Sequence, residues 1–152
     1  MGKVSYSIEQ VLPHARPMIL LDNVTGWAPD TLTASVTIHR TQPFFGSGGV
    51  PTHVAVEYMA QACGAFAGIE SLQLGRVPRV GLLLGTRNFS ARRKWFRDGD
   101  QLRVTVKVVF RENEMGVFDC IVADQRNGDT LATARLTVYQ PSEEAEHGKS
   151  DG

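Results

Sequence analysis

Apolar and polar residues alternate along much of the chain, which is the pattern of half-buried β-strands. Residues 31–38 alternate between apolar side chains and Thr or Ser, so they predict a strand with one face in the core. The apolar run within residues 18–27 predicts the strand before it, and Pro29 and Asp30 supply the turn of a hairpin. A single helical turn is expected earlier, at residues 7–11.

The alternation stops between Pro51 and about residue 72, where apolar residues occupy nearly every side of a helical projection. Proline is well placed in the first turn of a helix, because its missing N–H has no partner there in any case. A loop rich in glycine and aromatic residues precedes this segment at residues 43–49, and residues 75–78 end it. The pattern predicts one long helix that is buried rather than lying on the surface.

Four more strands are predicted after the helix: residues 80–91, 101–111, 116–124 and 130–139. Asn127 and Gly128 form a strong hairpin signal between the last two. An antiparallel sheet wrapped around one helix is an α+β fold, which we expect for a domain of residues 1–140 followed by a disordered tail at residues 141–152. One sheet covers only one side of a helix, so we expect a dimer to cover the other side.

Composition narrows the class of protein. The 152 residues suit a single domain, and the hydrophobic fraction of 42% is enough for a core. A formal net charge of zero argues against bulk attraction to nucleic acid or to an anionic membrane. The chain shows no signal-peptide pattern and no apolar run of transmembrane length. Cys63 and Cys120 lack metal-site spacing, so we expect reduced, buried thiols in a cytoplasmic protein without a metal.

The predicted helix carries one stripe of particular interest, made of His53, Glu57, Gln61, Gly64 and Gly68, whose spacing places them on one face. A carboxylate in so apolar a helix tends to have a raised pKa, which suits a proton donor near neutral pH. The alternative is that Glu57 pairs with an arginine and only holds a dimer together. We expect Gln61 to be structural and the glycines to allow close packing against the sheet or a sister helix.

Four segments, in this order along the chain, resemble the beta-hydroxyacyl-ACP dehydratases of fatty acid synthesis. Residues 12–24 resemble the family's N-terminal signature, and residues 43–45 resemble the segment before its active-site loop. Residues 56–62 resemble the central-helix motif, with Glu57 at the catalytic carboxylate, and residues 89–100 resemble a later strand and turn. The resemblance implies a hotdog fold, a substrate carried on phosphopantetheine, and no metal or redox cofactor.

One departure from that family concerns the catalytic histidine. The family carries it in a Gly-His-Phe-Pro loop, whereas residues 46–51 here form a shorter loop without histidine. In this the chain resembles the divergent dehydratase-like branch associated with aryl polyene gene clusters. His14, within the retained N-terminal motif, is the favoured base, and His53 is the alternative; either could instead be a packing or exposed residue. Backbone N–H groups at Gly49, at Val50 or at the start of the helix are candidates to polarise a thioester carbonyl.

A local basic cluster, Arg92, Arg93 and Lys94, follows the first strand after the helix. Acyl carrier proteins are acidic, so the resemblance implies that this cluster docks one. The alternative is a solvated strand end, which is what most runs of charge are.

Three functions follow from these observations. The first is dehydration of a carrier-bound 3-hydroxyacyl thioester to the trans-2-enoyl thioester by a homodimer, or by a heterodimer with a related hotdog subunit. The second is a hotdog thioesterase, in which the helix carboxylate activates water. The third is a non-catalytic, dehydratase-like subunit that pairs with an active relative, an alternative that the shortened loop favours.

Overall fold

The computed structural model describes residues 6–12 and 19–141, and the fold is that of these residues. Its elements in chain order are α1 (Ile8–Val11), β1 (Asn23–Ala28), β2 (Thr31–Thr37), β3 (Val50–Pro51), a 3₁₀ turn (Thr52–Val54), α2 (Ala55–Gln73), β4 (Leu82–Ala91), β5 (Trp95–Phe96), β6 (Gln101–Glu112), β7 (Met115–Asp124) and β8 (Thr130–Tyr139).

Six of the strands form one antiparallel sheet in the order β1-β2-β6-β7-β8-β4, and β3 and β5 form a separate two-stranded ribbon. The alternating pattern of β2 sets its register, because Leu32, Ala34 and Val36 must all face the core. The turns between the later strands use backbone conformations with positive φ, at Asn113 and at Gly128. The predicted hairpin at Asn127 and Gly128 is therefore confirmed.

The core lies between this sheet and one side of α2. Phe66 of the helix meets Phe118 of β7 edge to face at 5.6 Å between ring centroids, and Met59 is fully buried on the same helix. Each such side chain contributes about 1.5–3 kcal/mol by leaving water. The predicted α+β hotdog fold, with one long central helix held by an antiparallel sheet, is confirmed.

The short helix α1 crosses the central helix at its two glycines. Ser7 and Gln10 cap α1 reciprocally: the Ser7 N–H donates to the Gln10 side chain at 2.7 Å, and the Gln10 N–H donates to the Ser7 hydroxyl at 3.3 Å. A Cβ at Gly68 would overlap the carbonyl group of Val11. These glycines therefore pack against the N-terminal segment, and not against the sheet or a sister helix as predicted.

Other differences from the sequence prediction lie at the edges of elements. The first strand begins at Asn23, not at residue 18, although Ile19 and Leu21 are buried beside it. Pro51 lies in β3 and precedes the 3₁₀ turn, because residues 50–51 pair with Trp95 and Phe96. The predicted tail beyond Pro141 lies outside the described residues.

The sheet ends on an uncovered strand. β4 pairs only with β8, and all ten of its residues are exposed, including the apolar Leu82 and Leu84 at 56% and 54%. The sequence predicted a sheet with one buried face throughout. β4 departs from this because it lies at the edge, where the chain's own helix does not reach over it. An exposed apolar edge strand is a template for pairing with another chain.

Candidate active site

Glu57 lies in the first turn of α2, at one end of a cavity of about 520 Å³. The cavity runs along the side of the helix that faces away from the centre of the sheet. Its other walls come from the start of β4, the end of β8 and the region of the β6–β7 turn, and they include Leu82, Leu83, Arg111, Met115 and Val138. The walls mix apolar and polar side chains, so a carboxyl group at one end can act on a polar group of a ligand whose apolar part lies along the cavity.

The start of the helix is held by the segment that carries the basic cluster. The Thr52 hydroxyl donates to the carbonyl oxygen of Arg93 at 2.8 Å, and the Thr52 N–H donates to that of Lys94 at 3.0 Å. Thr52 is itself buried, so both bonds are sheltered from water. The first turn of α2, with Glu57, is thereby placed next to residues 92–94.

Gln61, one turn after Glu57, has the structural role that was predicted for it. Its side-chain oxygen accepts a hydrogen bond from the Leu20 N–H at 2.7 Å. This bond ties the central helix to the chain entering β1. It also gives a partner to a backbone N–H that lies outside any helix or strand.

Small side chains form the floor of the cavity. Ala60, Gly64, Ala67 and Ser71 recur at helical spacing along the same side of α2, and all four are cavity residues. Gly64 was named from the sequence and the other three were not, although their spacing of three and four residues places them on the same side of the helix. Because none of them projects far, an extended ligand can lie against the helix.

Farther along the cavity from Glu57, an ion pair joins α2 to β6, and the lining continues past this pair to Leu74 and Val77. Arg111 at the end of β6 contacts Glu70 of α2 at 2.8 Å, and its guanidinium lies 4.7 Å from the centre of the Phe66 ring. This ion pair was not predicted from the sequence. Its partners are 41 residues apart, and nothing in the alternating pattern shows which strand end meets the helix.

Glu57 is not sheltered by its own chain. Its side chain is exposed, and it makes no hydrogen bond or ion pair within residues 6–12 and 19–141. The expectation of a carboxyl group buried in the helix is therefore wrong for the single chain, because the helix face that bears Glu57 points away from the sheet. The alternative, an arginine partner for Glu57, is likewise not found within those residues.

The histidines divide into those the structure describes and those it does not. His53 is exposed in the 3₁₀ turn, one turn before Glu57, and His39 is exposed after β2. Neither is a wall of the cavity, so the described part of its lining contains no imidazole. His14, the favoured base, lies outside the described residues, and its role stays a prediction.

The glycine loop carries the backbone N–H groups that were expected to act as donors. The Gly49 N–H donates to the Gly46 carbonyl oxygen at 3.3 Å, and Gly49 has a φ of +117° where a Cβ would overlap the carbonyl of Phe96. Val50 is buried and pairs with Phe96 in the ribbon. The Gly49 N–H is thus engaged within the loop and Val50 within the ribbon, and their part in polarising a thioester carbonyl stays a prediction.

The three basic residues are exposed, but they are not equivalent. Arg93 contacts Asp100 at 3.2 Å and Asp124 at 3.9 Å, so its charge is partly compensated. Arg92 and Lys94 have no ion pair within the described residues. The cluster that could attract an acidic partner is therefore reduced to these two side chains.

The remaining titratable groups near the helix are structural. Burial, helped by a hydrogen bond with Cys120, raises the pKa of the Cys63 thiol well above its ordinary value, which makes it a poor nucleophile at neutral pH. Burial and the nearby charge of Asp22 raise the pKa of Tyr58 to about 12. Both cysteines are free and buried, as predicted.

No group of three or more His, Cys, Asp or Glu side chains is arranged for a metal ion in the part of the chain that the structure describes. Within that part, no helix is both long and apolar enough to cross a membrane.

Comparison with known proteins places the chain among dehydratases. The model of the ApeP-like family, described as ApeP dehydratase, matches residues 6–149. A 3-hydroxyacyl-[acyl-carrier-protein] dehydratase FabZ of Ehrlichia chaffeensis is 29% identical over 144 residues, which are 91% of this chain and 95% of that protein. The corresponding FabZ of Streptococcus pneumoniae is 29% identical over 138 residues, 86% of this chain and 92% of that protein.

Two solved structures give the comparison in three dimensions. The dehydratase heterocomplex ApeI:P from Xenorhabdus doucetiae superposes with a TM-score of 0.86 and 27% identity, over 98% of this chain and 100% of that one. The E. coli PaaI protein superposes with a TM-score of 0.60 and 14% identity, over 77% of this chain and 81% of that one, and supports the fold alone. The resemblance indicated by the sequence motifs is confirmed.

Proposed function

Since the chain belongs to the ApeP-like family of dehydratases, we propose that it is a subunit of an enzyme that dehydrates carrier-bound 3-hydroxyacyl thioesters. The observation that carries this proposal is the position of Glu57 at one end of an apolar cavity along the central helix. In such a cavity the acyl chain lies against α2 and the hydroxyl-bearing carbon reaches the carboxyl group.

Glu57 acts as the general acid. A base removes the proton from C2 of the substrate, the C3–O bond breaks, and protonated Glu57 gives its proton to the departing hydroxyl, which leaves as water. The product is the trans-2-enoyl thioester, and the proton taken from C2 returns to the carboxylate to complete the cycle. A carboxyl group in this role must be sheltered from water during the reaction.

A second chain supplies that shelter. The open edge of β4 and the uncovered face of α2 lie together, and the three leucines of β4 at positions 82–84 are all exposed. A second hotdog subunit that pairs along β4 would continue the sheet, cover these side chains and exclude water from the mouth of the cavity. The structurally similar ApeI:P dehydratase is a heterocomplex. This favours a related but different subunit as the partner over a second copy of this chain.

The base is His14 or a histidine of that second subunit. His14 belongs to the N-terminal motif that this chain shares with the dehydratases, whereas His53 lies outside the cavity lining. His14→Ala in the active mixture distinguishes the two origins, because it removes activity only if this chain supplies the base.

An acyl carrier protein delivers the substrate. Arg92 and Lys94 lie beside the start of α2, within the same anchored segment that Thr52 holds, so an acidic carrier bound there would point its phosphopantetheine arm toward Glu57. A carrier-dependent dehydratase works in the cytoplasm, the location expected from the sequence.

One assay tests the proposal against its rivals. Purified chain, alone and mixed with a related hotdog subunit, is given a 3-hydroxyacyl thioester on a carrier protein, and both the enoyl absorbance and the release of free thiol are followed. Dehydration predicts enoyl absorbance without thiol, and a thioesterase predicts the reverse.

The exposure of Glu57 in the single chain favours one rival in particular, a subunit that supports an active relative without doing chemistry. In that case the mixture dehydrates substrate and Glu57→Gln changes nothing. An inactive mixture with every carrier-bound substrate would contradict both the dehydratase and this rival.

A further inference from the structure

The Glu70–Arg111 ion pair joins the central helix to the sheet part-way along the cavity from Glu57, and the lining continues beyond it to Leu74 and Val77. The two charged groups are 2.8 Å apart, and their side chains are 33% and 41% exposed. Arg111 is also held against the ring of Phe66. Both charged residues line the cavity, as do Arg76, Arg79 and Glu114, and Glu70 is the first charged residue of α2 after Glu57.

The distance between the two ends suits an extended acyl group. Glu57 and Glu70 are separated by thirteen positions of one continuous helix, which corresponds to about 20 Å along its axis. Between them the helix offers Ala60, Gly64 and Ala67, and the strand side offers leucine and valine. This is a path for methylene groups, with a reactive carboxyl group at one end and an ion pair at the other.

We propose that the Glu70–Arg111 pair is the distal stop of this path and sets the longest acyl chain that the dehydratase accepts, an inference that rests on the proposed function. Each methylene added within the apolar path improves binding by about fourfold, because it leaves water. A methylene that reaches the ion pair gains nothing of this kind, since it must strip water from charged groups that an alkane cannot hydrogen bond.

The pair acts as a soft stop. A partly exposed ion pair contributes little stability and can be displaced. We therefore expect kcat/KM to decline steeply over a few added carbons and not to drop to zero at one chain length. A purely structural pair, pinning β6 to α2, would instead change stability when removed and leave the preference for chain length as it was.

The test uses the full chain in whichever assembly dehydrates substrate, with 3-hydroxyacyl pantetheine thioesters of graded length. Arg111→Ala opens the far end, so kcat/KM should continue to rise beyond the wild-type limit, by at least tenfold for chains four carbons longer. Ala67→Leu blocks the floor midway and should shift the longest accepted chain to a smaller number of carbons. Displacement of a fluorescent fatty acid gives the same two profiles without turnover.

Arg135→Ala is the matched control. Arg135 and Asp119 form an ion pair of the same 2.8 Å length on the outside of the sheet, away from the cavity, so its removal should leave the length profile unchanged. A wild-type length limit that survives Arg111→Ala, in an assembly that still dehydrates short substrates, would overturn the stop and leave the dehydratase intact. Absence of dehydration at every length would instead refute the proposed function.

Discussion

The α-carbon of Gly68 lies so close to the carbonyl group of Val11 that no other residue fits at this position without displacing the N-terminal helix. The same contact keeps α1 and Leu12 against the central helix, just before the segment that leads to the Gln61 contact. Gly68 therefore contributes to the candidate site indirectly, by fixing how the N-terminal segment crosses α2.

Gly68→Ala should lower the free energy of unfolding by about 1–3 kcal/mol, the usual cost of overpacking. The direction is informative, because alanine is the better helix former and would stabilise an unobstructed helix by up to about 1 kcal/mol. Gly64→Ala is the control: its Cβ would meet only the movable end of Leu12, at 3.2 Å. Urea unfolding of both variants checks the difference, and equal stabilities would contradict the close crossing.

Leu84→Lys should weaken assembly, because a charged side chain on an edge strand opposes pairing with another chain. We expect a shift toward monomer in light scattering at micromolar concentration, with the secondary structure retained. Ile121→Lys, which replaces an exposed apolar residue on the interior strand β7, should leave the assembly unchanged. A wild-type chain that is monomeric both alone and with a related hotdog subunit would refute the proposed interface.

Lys94→Glu should weaken binding of an acyl carrier protein by about fivefold, and adding Arg92→Glu should weaken it by about fivefold again. The residual binding should be less sensitive to salt, since fewer charge contacts remain. Lys107→Glu makes the same change of charge on an exposed residue of β6 and should have little effect. Unchanged carrier affinity in the double variant would make residues 92–94 an ordinary solvated strand end.

Stability should fall in alkali because of Tyr58. Its folded-state pKa of about 12 lies above the ordinary tyrosine pKa of 10.0, so the folded state holds the phenolic proton more tightly. The resulting stabilisation, about 3 kcal/mol at most, is complete below pH 10 and is lost as the pH rises from 10 to 12. Tyr58→Phe should flatten this part of the stability profile in urea titrations at pH 8 and 11. If the free energy of unfolding fell equally with pH in the wild type and in Tyr58→Phe, a buried phenol would be contradicted.

Local pattern was enough to predict most of the fold. The alternation in β2 and β6 and the unbroken apolar character of α2 identified these elements, because a period of two and a period of 3.6 are properties of the sequence itself. The ribbon of β3 and β5 was not predicted, since its two-residue strands have no readable period and depend on a contact between distant segments.

The candidate site was predicted less completely, for the same reason. Glu57 and Gln61 could be named because helical spacing and the dehydratase motif both identify them. The exposure of β4 and the Glu70–Arg111 contact depend on which elements meet in space, and no single segment contains that information. The shelter that Glu57 needs is harder still to predict from this sequence, because we assign it to a second chain.

The most direct test is the rate of dehydration by Glu57→Gln in the assembly that is active with wild-type chain. Glutamine keeps the size and hydrogen bonding of the side chain but has no acidic proton. We expect an unchanged assembly and a rate lower by roughly two to four orders of magnitude, the scale of general acid–base contributions. His14→Ala should give a comparable loss if His14 is the base, and His53→Ala should cost less. Full dehydration by Glu57→Gln would contradict the proposed mechanism.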